Sequence, residues 1–187
     1  MTKKIIVALT GASGINYGVE VLKALNSLDI ETHVILSEWA EYVLHSETNF
    51  SVSQIKELAF KTYNYNDMSA SISSSSFLID GMVIIPATVK TVSNIANGHT
   101  GDLITRAADN MLKMKRKLVV ALRETPLSPP CANNLAKPAT YGAIILPLSP
   151  GFYHKPVEIQ DLFDFITGKV LDILEISNDF YQRWNKD

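Results

Sequence analysis

Two short turns, each following an apolar run, are rich in small and hydroxyl residues. The first, 10–14, follows the apolar residues 5–9 and precedes a stretch with apolar residues at helical spacing. The second, 87–91, follows the apolar residues 81–86 and includes Lys90. Backbone N–H groups at the start of a helix have no partner within it and favour anions. Both turns are therefore predicted to bind phosphate or another anion.

Charged residues stand at two further informative places. Arg123 and Glu124 directly follow the apolar run 118–122, where a loop would lie over the ligand crevice of a parallel sheet. From the residues alone, an ion pair between these two side chains is the competing interpretation. Arg106 and Lys113 lie seven residues apart in a predicted helix over 102–117, so they share a face and can reach one anion together.

The apolar runs predict buried strands that alternate with helices. Strands are expected at 5–9, 31–37, 81–86, 118–122 and 143–147, and helices include 38–62 and 157–174. This order predicts a three-layer α/β/α sandwich on a mostly parallel, doubly wound sheet of the flavodoxin or Rossmann type. Residues 1–187 are expected to form a single domain, with the turns meeting in one crevice.

The glycine spacing bears on which nucleotide would bind. Gly11, Gly14 and Gly18 do not follow the G-x-G-x-x-G pattern of dinucleotide sites. In dinucleotide-binding folds, an acidic residue at the end of the second strand binds the ribose hydroxyls. Here the second predicted strand ends at Ser37, with Glu38 next to it, so the sequence does not decide whether such an acid is present. FMN, whose ribityl chain has no ribose ring, fits better than NAD.

The serine-rich segment 66–76 has two interpretations that the residues leave open. By composition it is a flexible surface loop. Alternatively, its hydroxyls line a pocket for a polar ligand.

Composition excludes several classes of partner. The chain has 187 residues, a net charge of −2 and no apolar run long enough to span a membrane, so neither nucleic acid nor a membrane is expected. No signal peptide is evident, which favours a cytoplasmic location. Cys131 is the only cysteine, and the histidines have no metal-ligand spacing, so no metal is expected. Charged residues make up only 19% of the chain, which favours a homo-oligomer.

Several segments together resemble the UbiX family of flavin prenyltransferases. The matching stretches are TGASGINYG at 10–18, SETNF at 46–50, DGMVIIPATVKT at 80–91, LITRAADNMLK at 103–113, ALRETPLS at 121–128 and LPLSPGFYHKP at 146–156. The resemblance implies a flavodoxin-like fold and a homododecamer with its site between subunits. It implies metal-free transfer of a dimethylallyl group from dimethylallyl monophosphate to N5 and C6 of reduced FMN. The product would serve a UbiD-type decarboxylase, in ubiquinone synthesis or aromatic acid decarboxylation.

The same resemblance implies a role for individual residues. The flavin would be held by Gly11, Ala12, Ser13, Ser37, Thr88, Val89, Lys90, Thr91 and Arg123. The catalytic residues would be Ser13, near N5 of the flavin, and the acid/base candidates Glu47 and Glu124. Without the resemblance, Glu47 is simply a surface acid.

The donor phosphate would be met by residues from two subunits. These are Tyr153 and Lys169 from one chain, with Arg106 and Lys113 from a neighbour. Lys169 stands where the family usually has arginine, which retains the charge but not the two-pronged grip of a guanidinium.

Two other functions compete with prenyl transfer. One is a flavin-dependent cysteine decarboxylase of the related HFCD group, although the chain lacks that group's catalytic histidine in a matching context. The other is an FMN-binding accessory subunit of an aromatic acid decarboxylase.

Overall fold

The computed structural model describes residues 3–184. Six strands form one sheet in the order β3-β2-β1-β4-β5-β6, and all neighbours are parallel. The strands are β1 (Lys4–Leu9), β2 (Glu31–Leu36), β3 (Lys61–Asn64), β4 (Gly81–Ala87), β5 (Lys117–Leu122) and β6 (Ile144–Ile145). The helices are α1 (Ile15–Ser27), α2 (Glu38–Glu47), α3 (Val52–Leu58), α4 (Val89–Ala96), α5 (Leu103–Lys113), α6 (Pro129–Thr140) and α7 (Ile159–Ile173).

The two faces of the sheet pack against different helices. In β1, Ile5, Val7 and Leu9 face a core formed with α1, α2, α3 and α7, while Ile6 and Ala8 face a core formed with α4 and α5. Every one of these strand residues is at most 1% exposed, as expected for a parallel sheet covered on both sides. The predicted α/β/α sandwich is confirmed. None of the helices between residues 3 and 184 has the length and apolar character needed to cross a bilayer.

The sheet reverses its direction of growth between β1 and β4. From β1 the chain builds outward through β2 to β3, and from β4 it builds the other way through β5 to β6. At such a switch point the connections leave to opposite sides and open a crevice at the carboxyl ends of the strands. The crevice therefore lies between the turns that follow β1 and β4.

The prediction of one helical region over 38–62 is wrong. Thr48 ends α2, and its hydroxyl donates to the Leu44 carbonyl at 2.7 Å. Ser51 then begins α3 with a capping box to Gln54, and β3 follows as an edge strand beside β2. The helical spacing of apolar residues did not separate two short helices joined by a capped turn from one longer helix.

Two further element predictions need correction. The helix expected over 102–117 ends at Lys113, and Lys117 already begins β5. Helix α6 was not predicted, although Ser128 caps it and Pro129 occupies its first position, where proline is tolerated.

The serine-rich segment is packed on α5. The Ser73 carbonyl accepts from Arg106 Nε at 3.0 Å and from Asn110 Nδ2 at 2.8 Å. Ile72, in the same segment, is 2% exposed and belongs to the core on that face. The segment is thus a surface loop anchored at Ile72 and Ser73, and both its flexibility and the pocket-lining interpretation stay predictions.

Candidate active site

A cavity of about 390 Å³ lies at the carboxyl ends of the central strands. It is lined by Thr10, Gly11, Ser37, Glu38, Trp39, Tyr65, Asn66, Thr88, Val89, Lys90 and Thr91. Its volume is in the range of small-molecule and cofactor sites. Both predicted turns and Ser37 thus meet at one crevice, as the topology requires.

The turn after β4 retains the features of an anion site. Thr88 caps α4: its Oγ1 accepts from the Thr91 N–H at 3.2 Å and lies 3.0 Å from the Thr91 hydroxyl. The N–H groups of Val89 and Lys90, in the first turn of the helix, have no intrahelical partner. The Lys90 side chain is exposed at the same place. A phosphate here would meet backbone N–H groups, hydroxyls and one cation.

The turn after β1 is contacted by an acidic side chain of the protein itself. The Gly14 N–H donates to Glu47 Oε2 at 2.7 Å, and the Ile15 N–H lies 3.4 Å from the same oxygen. The start of α1 therefore holds an anion, the protein's own Glu47 carboxylate, and the binding of a ligand at this turn stays a prediction. Gly14 has a φ of 85°, in the left-handed region that favours glycine, which turns these N–H groups toward Glu47.

Thr10 joins the two turns and was not singled out by the sequence. Its hydroxyl donates to the Pro86 carbonyl at 2.6 Å and accepts from the Thr88 N–H at 3.0 Å. The side chain is 3% exposed, so both partners would be buried without it. Thr10 holds the turn after β4 in register with the end of β1.

The wall of the crevice is aromatic, and the sequence offered no signal for that. A Cβ added to Gly11 would overlap Trp39 Cβ, so glycine allows α2 to approach this turn closely. Trp39 is 68% exposed at the crevice. Burial and the nearby Asp102 carboxylate raise the pKa of Tyr65 above its usual range, which keeps its phenol protonated. Aromatic walls beside a helix N-terminus fit the ring system and phosphate of FMN.

Arg123 and Glu124 lie exposed where β5 ends, and the described residues include no ion pair between them. A Cβ added to Gly14 would lie 3.9 Å from Arg123 Cγ, so the arginine extends over the turn after β1. Glu124 Oε1 accepts from the Thr125 N–H at 3.2 Å. The ion-pair interpretation is wrong, and of the two side chains it is Arg123 that lies near the turn after β1.

The residues expected at the donor phosphate do not come together within one chain. Arg106 and Lys113 lie on α5, where Lys113 pairs with Asp109. Lys169 lies on α7 and Tyr153 packs against Phe165 of the same helix, across the sheet from α5. A phosphate met by all four would need two chains. Among residues 3–184, no three His, Cys, Asp or Glu side chains are grouped to hold a metal ion.

Comparison with known proteins agrees with this geometry. The family model described as Flavoprotein matches residues 1–183. Flavin prenyltransferase LpdB of Lactiplantibacillus plantarum is 48% identical over 99% of this chain and 100% of its own. AnUbiX (PadA1), solved with FMN and dimethylallyl pyrophosphate, has a TM-score of 0.97 at 43% identity, covering 99% of this chain and 98% of that one. A dodecameric FMN-dependent UbiX-like decarboxylase from Escherichia coli O157:H7 has a TM-score of 0.95 at 38% identity, covering 97% and 99%.

The doubly wound sheet, with its flavin-sized crevice at the switch point, defines an α/β flavoprotein of the flavodoxin-like class. Within that class the chain belongs to the UbiX family of flavin prenyltransferases. It is a transferase of prenyl groups whose flavin is FMN. This function is supported over the cysteine decarboxylase and accessory-subunit alternatives.

Proposed function

We propose that this chain transfers a dimethylallyl group from dimethylallyl monophosphate to N5 and C6 of reduced FMN. The observation that supports this most is the crevice that ends at the start of α4, in a chain 48% identical to a flavin prenyltransferase. The solved relative with FMN and dimethylallyl pyrophosphate supports an allyl phosphate as donor. The prenylated flavin would pass to a UbiD-type decarboxylase, in ubiquinone synthesis or aromatic acid decarboxylation.

The flavin phosphate would lie at the start of α4. There the N–H groups of Val89 and Lys90, the hydroxyls of Thr88 and Thr91 and the Lys90 ammonium converge. The ring system would lie toward Gly11, Ala12, Ser13 and Ser37, with Arg123 crossing the turn after β1. Reduced FMN supplies the nucleophilic N5 and C6 atoms.

The donor phosphate would lie between two subunits. Because α5 and α7 cover opposite faces of the sheet, Arg106 and Lys113 would come from one chain and Tyr153 and Lys169 from its neighbour. Cations and a phenol at this place stabilise the charge that develops on the leaving phosphate. The dodecameric relative supports a homo-oligomer, and we propose a dodecamer whose subunits are single domains over residues 1–187.

The prenyl transfer requires proton transfers, for which Glu47 and Glu124 are the candidate carboxylates. The C–O bond of the donor breaks and inorganic phosphate leaves, while bonds form to N5 and C6 and their protons are released. One proton returns to the allyl fragment, so the flavin gains C5H8. Glu47 is held at the turn containing Ser13 by the Gly14 N–H, and Glu124 lies at the end of β5. These two carboxylates would accept and deliver the protons, with Ser13 near N5.

The test is anaerobic and has a mass readout. Protein is mixed with reduced FMN and either dimethylallyl monophosphate or dimethylallyl diphosphate. The molecular mass of the flavin released on denaturation is then measured by mass spectrometry. A gain of C5H8 with the monophosphate is expected. Unmodified FMN with both donors would overturn the proposal, and a gain with the diphosphate alone would overturn the choice of donor.

The variant Glu124→Gln separates an enzyme from an accessory flavoprotein. Loss of the mass gain with FMN still bound is expected for an enzyme. Unchanged prenylation would remove Glu124 from the catalytic set. The cytoplasmic location expected from the sequence stays a prediction.

A further inference from the structure

The tail after α7, residues 178–184, is fastened to that helix by one carboxylate. Asp172 accepts from Asn178 Nδ2 at 2.9 Å and from the Tyr181 hydroxyl at 2.7 Å. Arg183 grips both oxygens of the same carboxylate, at 2.7 and 2.8 Å. Two-pronged pairs of this kind fix geometry as well as charge. The path of the tail over α7 is thus specified by side-chain contacts.

A glycine makes room for this docking. Gly168 lies one helical turn before Asp172, on the same face of α7. A Cβ added there would overlap the Tyr181 ring, and it would also lie 3.1 Å from Asn178 Oδ1. The tail therefore needs both the carboxylate at 172 and the missing side chain at 168.

The docked tail encloses the ammonium of Lys169. Its Nζ lies 4.8 Å from the centroid of the Tyr181 ring and 5.5 Å from that of Phe165. Attraction to the two ring faces restrains the flexible lysine stem. No carboxylate among residues 3–184 forms a salt bridge with Lys169, so its charge is available to an anion. At the tip of the tail, Trp184 packs edge-on against Tyr153 at 5.2 Å.

We propose that the tail positions Lys169 and Tyr153 for the donor phosphate, with Asp172 and Tyr181 as positioning residues. The inference rests on the proposed function, because that function gives Lys169 its role. A lysine lacks the rigid fork of a guanidinium. In this chain the Tyr181 and Phe165 rings orient the Lys169 ammonium instead.

The first experiment displaces the tail in two independent ways. Gly168→Ala fills the space of the Tyr181 ring, and Asp172→Asn removes the charge that holds Arg183. Asp164→Asn is the matched control, because Asp164 is on the same helix but, within residues 3–184, its carboxylate accepts only from Gln160, at 2.8 Å. Trypsin cleavage after Arg183 and Trp184 fluorescence report whether the tail has moved. The measurements are KM for dimethylallyl monophosphate, kcat, Kd for FMN, and calorimetric binding of the donor to the protein loaded with oxidised FMN.

We expect displacement of the tail to raise the donor KM and its calorimetric Kd about tenfold or more, the loss typical of a charged contact. The Kd for FMN should stay within about twofold of the parent value, since the tail lies outside the flavin crevice. Asp164→Asn should match the parent protein. If donor and FMN binding weaken together, the tail has only a structural role and the inference is wrong. Unchanged donor binding with a displaced tail would also overturn it.

A second experiment uses the arginine that the family usually has. Lys169→Arg carries its own rigid fork, so it should depend less on the tail. Combined with Tyr181→Leu, it should recover part of the donor affinity that Tyr181→Leu loses alone. Additive effects of the two changes would contradict positioning through Tyr181. If the parent protein makes no prenylated flavin, the proposed function fails first, and the calorimetric donor titrations still test the tail separately.

Discussion

The carboxylate of Glu47 lies 2.7 Å from the backbone nitrogen of Gly14, 33 residues earlier in the chain. This contact joins the end of α2 to the start of α1 at the turn that contains Ser13. It satisfies helix N–H groups that would otherwise attract a ligand anion. The flavin phosphate site that we propose is consequently at α4, and the acid at position 47 is held in a defined place.

Replacing Glu47 should separate its structural role from its chemical one. In Glu47→Gln the amide oxygen can still accept from the Gly14 N–H, but the side chain can no longer take up a proton. Prenyl transfer should slow by about 100-fold or more, the usual size of general acid–base effects. FMN binding should change little. Single-turnover formation of the C5H8 product and fluorescence titration of FMN measure the two effects.

The control for this substitution is Glu41→Gln, an exposed acid on the same helix. It should behave as the parent protein does. Glu47→Ala leaves the N–H groups of α1 without their partner and should lower the free energy of unfolding by about 1 kcal/mol, as lost helix caps do. Equal stability of the Ala and Gln variants in urea would argue against the capping role.

Thr10→Val should weaken FMN binding through the turn after β4. The valine methyl cannot accept from the Thr88 N–H or donate to the Pro86 carbonyl, so two buried backbone groups lose a partner. We expect a loss of about 1–3 kcal/mol in the free energy of unfolding. The Kd for FMN should rise because the Val89 and Lys90 N–H groups shift. Thr10→Ser keeps the hydroxyl and should retain FMN affinity, and weak binding by both variants would contradict this account.

Mixed oligomers test whether the donor phosphate site spans two chains. Arg106→Ala and Lys169→Ala should each be inactive with the donor. When the two variants are unfolded, mixed in equal amounts and reassembled, about a quarter of the sites would combine intact faces from different chains. Prenyl transfer activity should therefore recover to about a quarter of the parent value. Absence of recovery, in oligomers shown to be mixed by mass, would mean that Arg106 and Lys169 do not serve the same donor site.

The pH dependence of the free energy of unfolding should show the contribution of the ionised Asp172 carboxylate. The Arg183 guanidinium, with the Tyr181 and Asn178 donors, lowers the pKa of this carboxyl from 3.8 to about 2. Because the folded protein favours the ionised form, Asp172 stabilises the fold above the pKa of the unfolded chain. That contribution is lost as the pH falls from 3.8 toward 2. The difference in unfolding free energy between parent and Asp172→Asn should be constant near neutrality and shrink below about pH 4.

Urea titrations at a series of pH values measure this difference. Asp164→Asn serves again as the control, because in the described part of the chain the Asp164 carboxyl accepts a hydrogen bond only from Gln160. A difference that stays constant down to pH 3 would mean that the Arg183 pair does not hold Asp172 ionised in the folded protein.

The sequence by itself determined the fold class and the family, for a local reason. A buried strand, a turn of small residues and an amphipathic helix are each encoded within about ten consecutive residues, and the order of such units limits the topology. The turn at 87–91 is an example, since Thr88 caps the helix that follows it directly and accepts from the Thr91 N–H in the first turn of that helix. The family stretches are equally local. For these features the sequence was sufficient.

Only the tertiary structure decided which groups meet across long separations. Glu47 caps a helix 33 residues before it, Thr10 bonds Pro86 and Thr88 across the sheet, and Arg106 lies on the face opposite Lys169. Edge strand β3 exists because β2 offers it hydrogen bonds, and the tail follows α7 because Gly168 leaves space for Tyr181. Such contacts depend on the packing of whole elements and not on local periodicity. They placed the acid at the turn after β1 and the tail against α7.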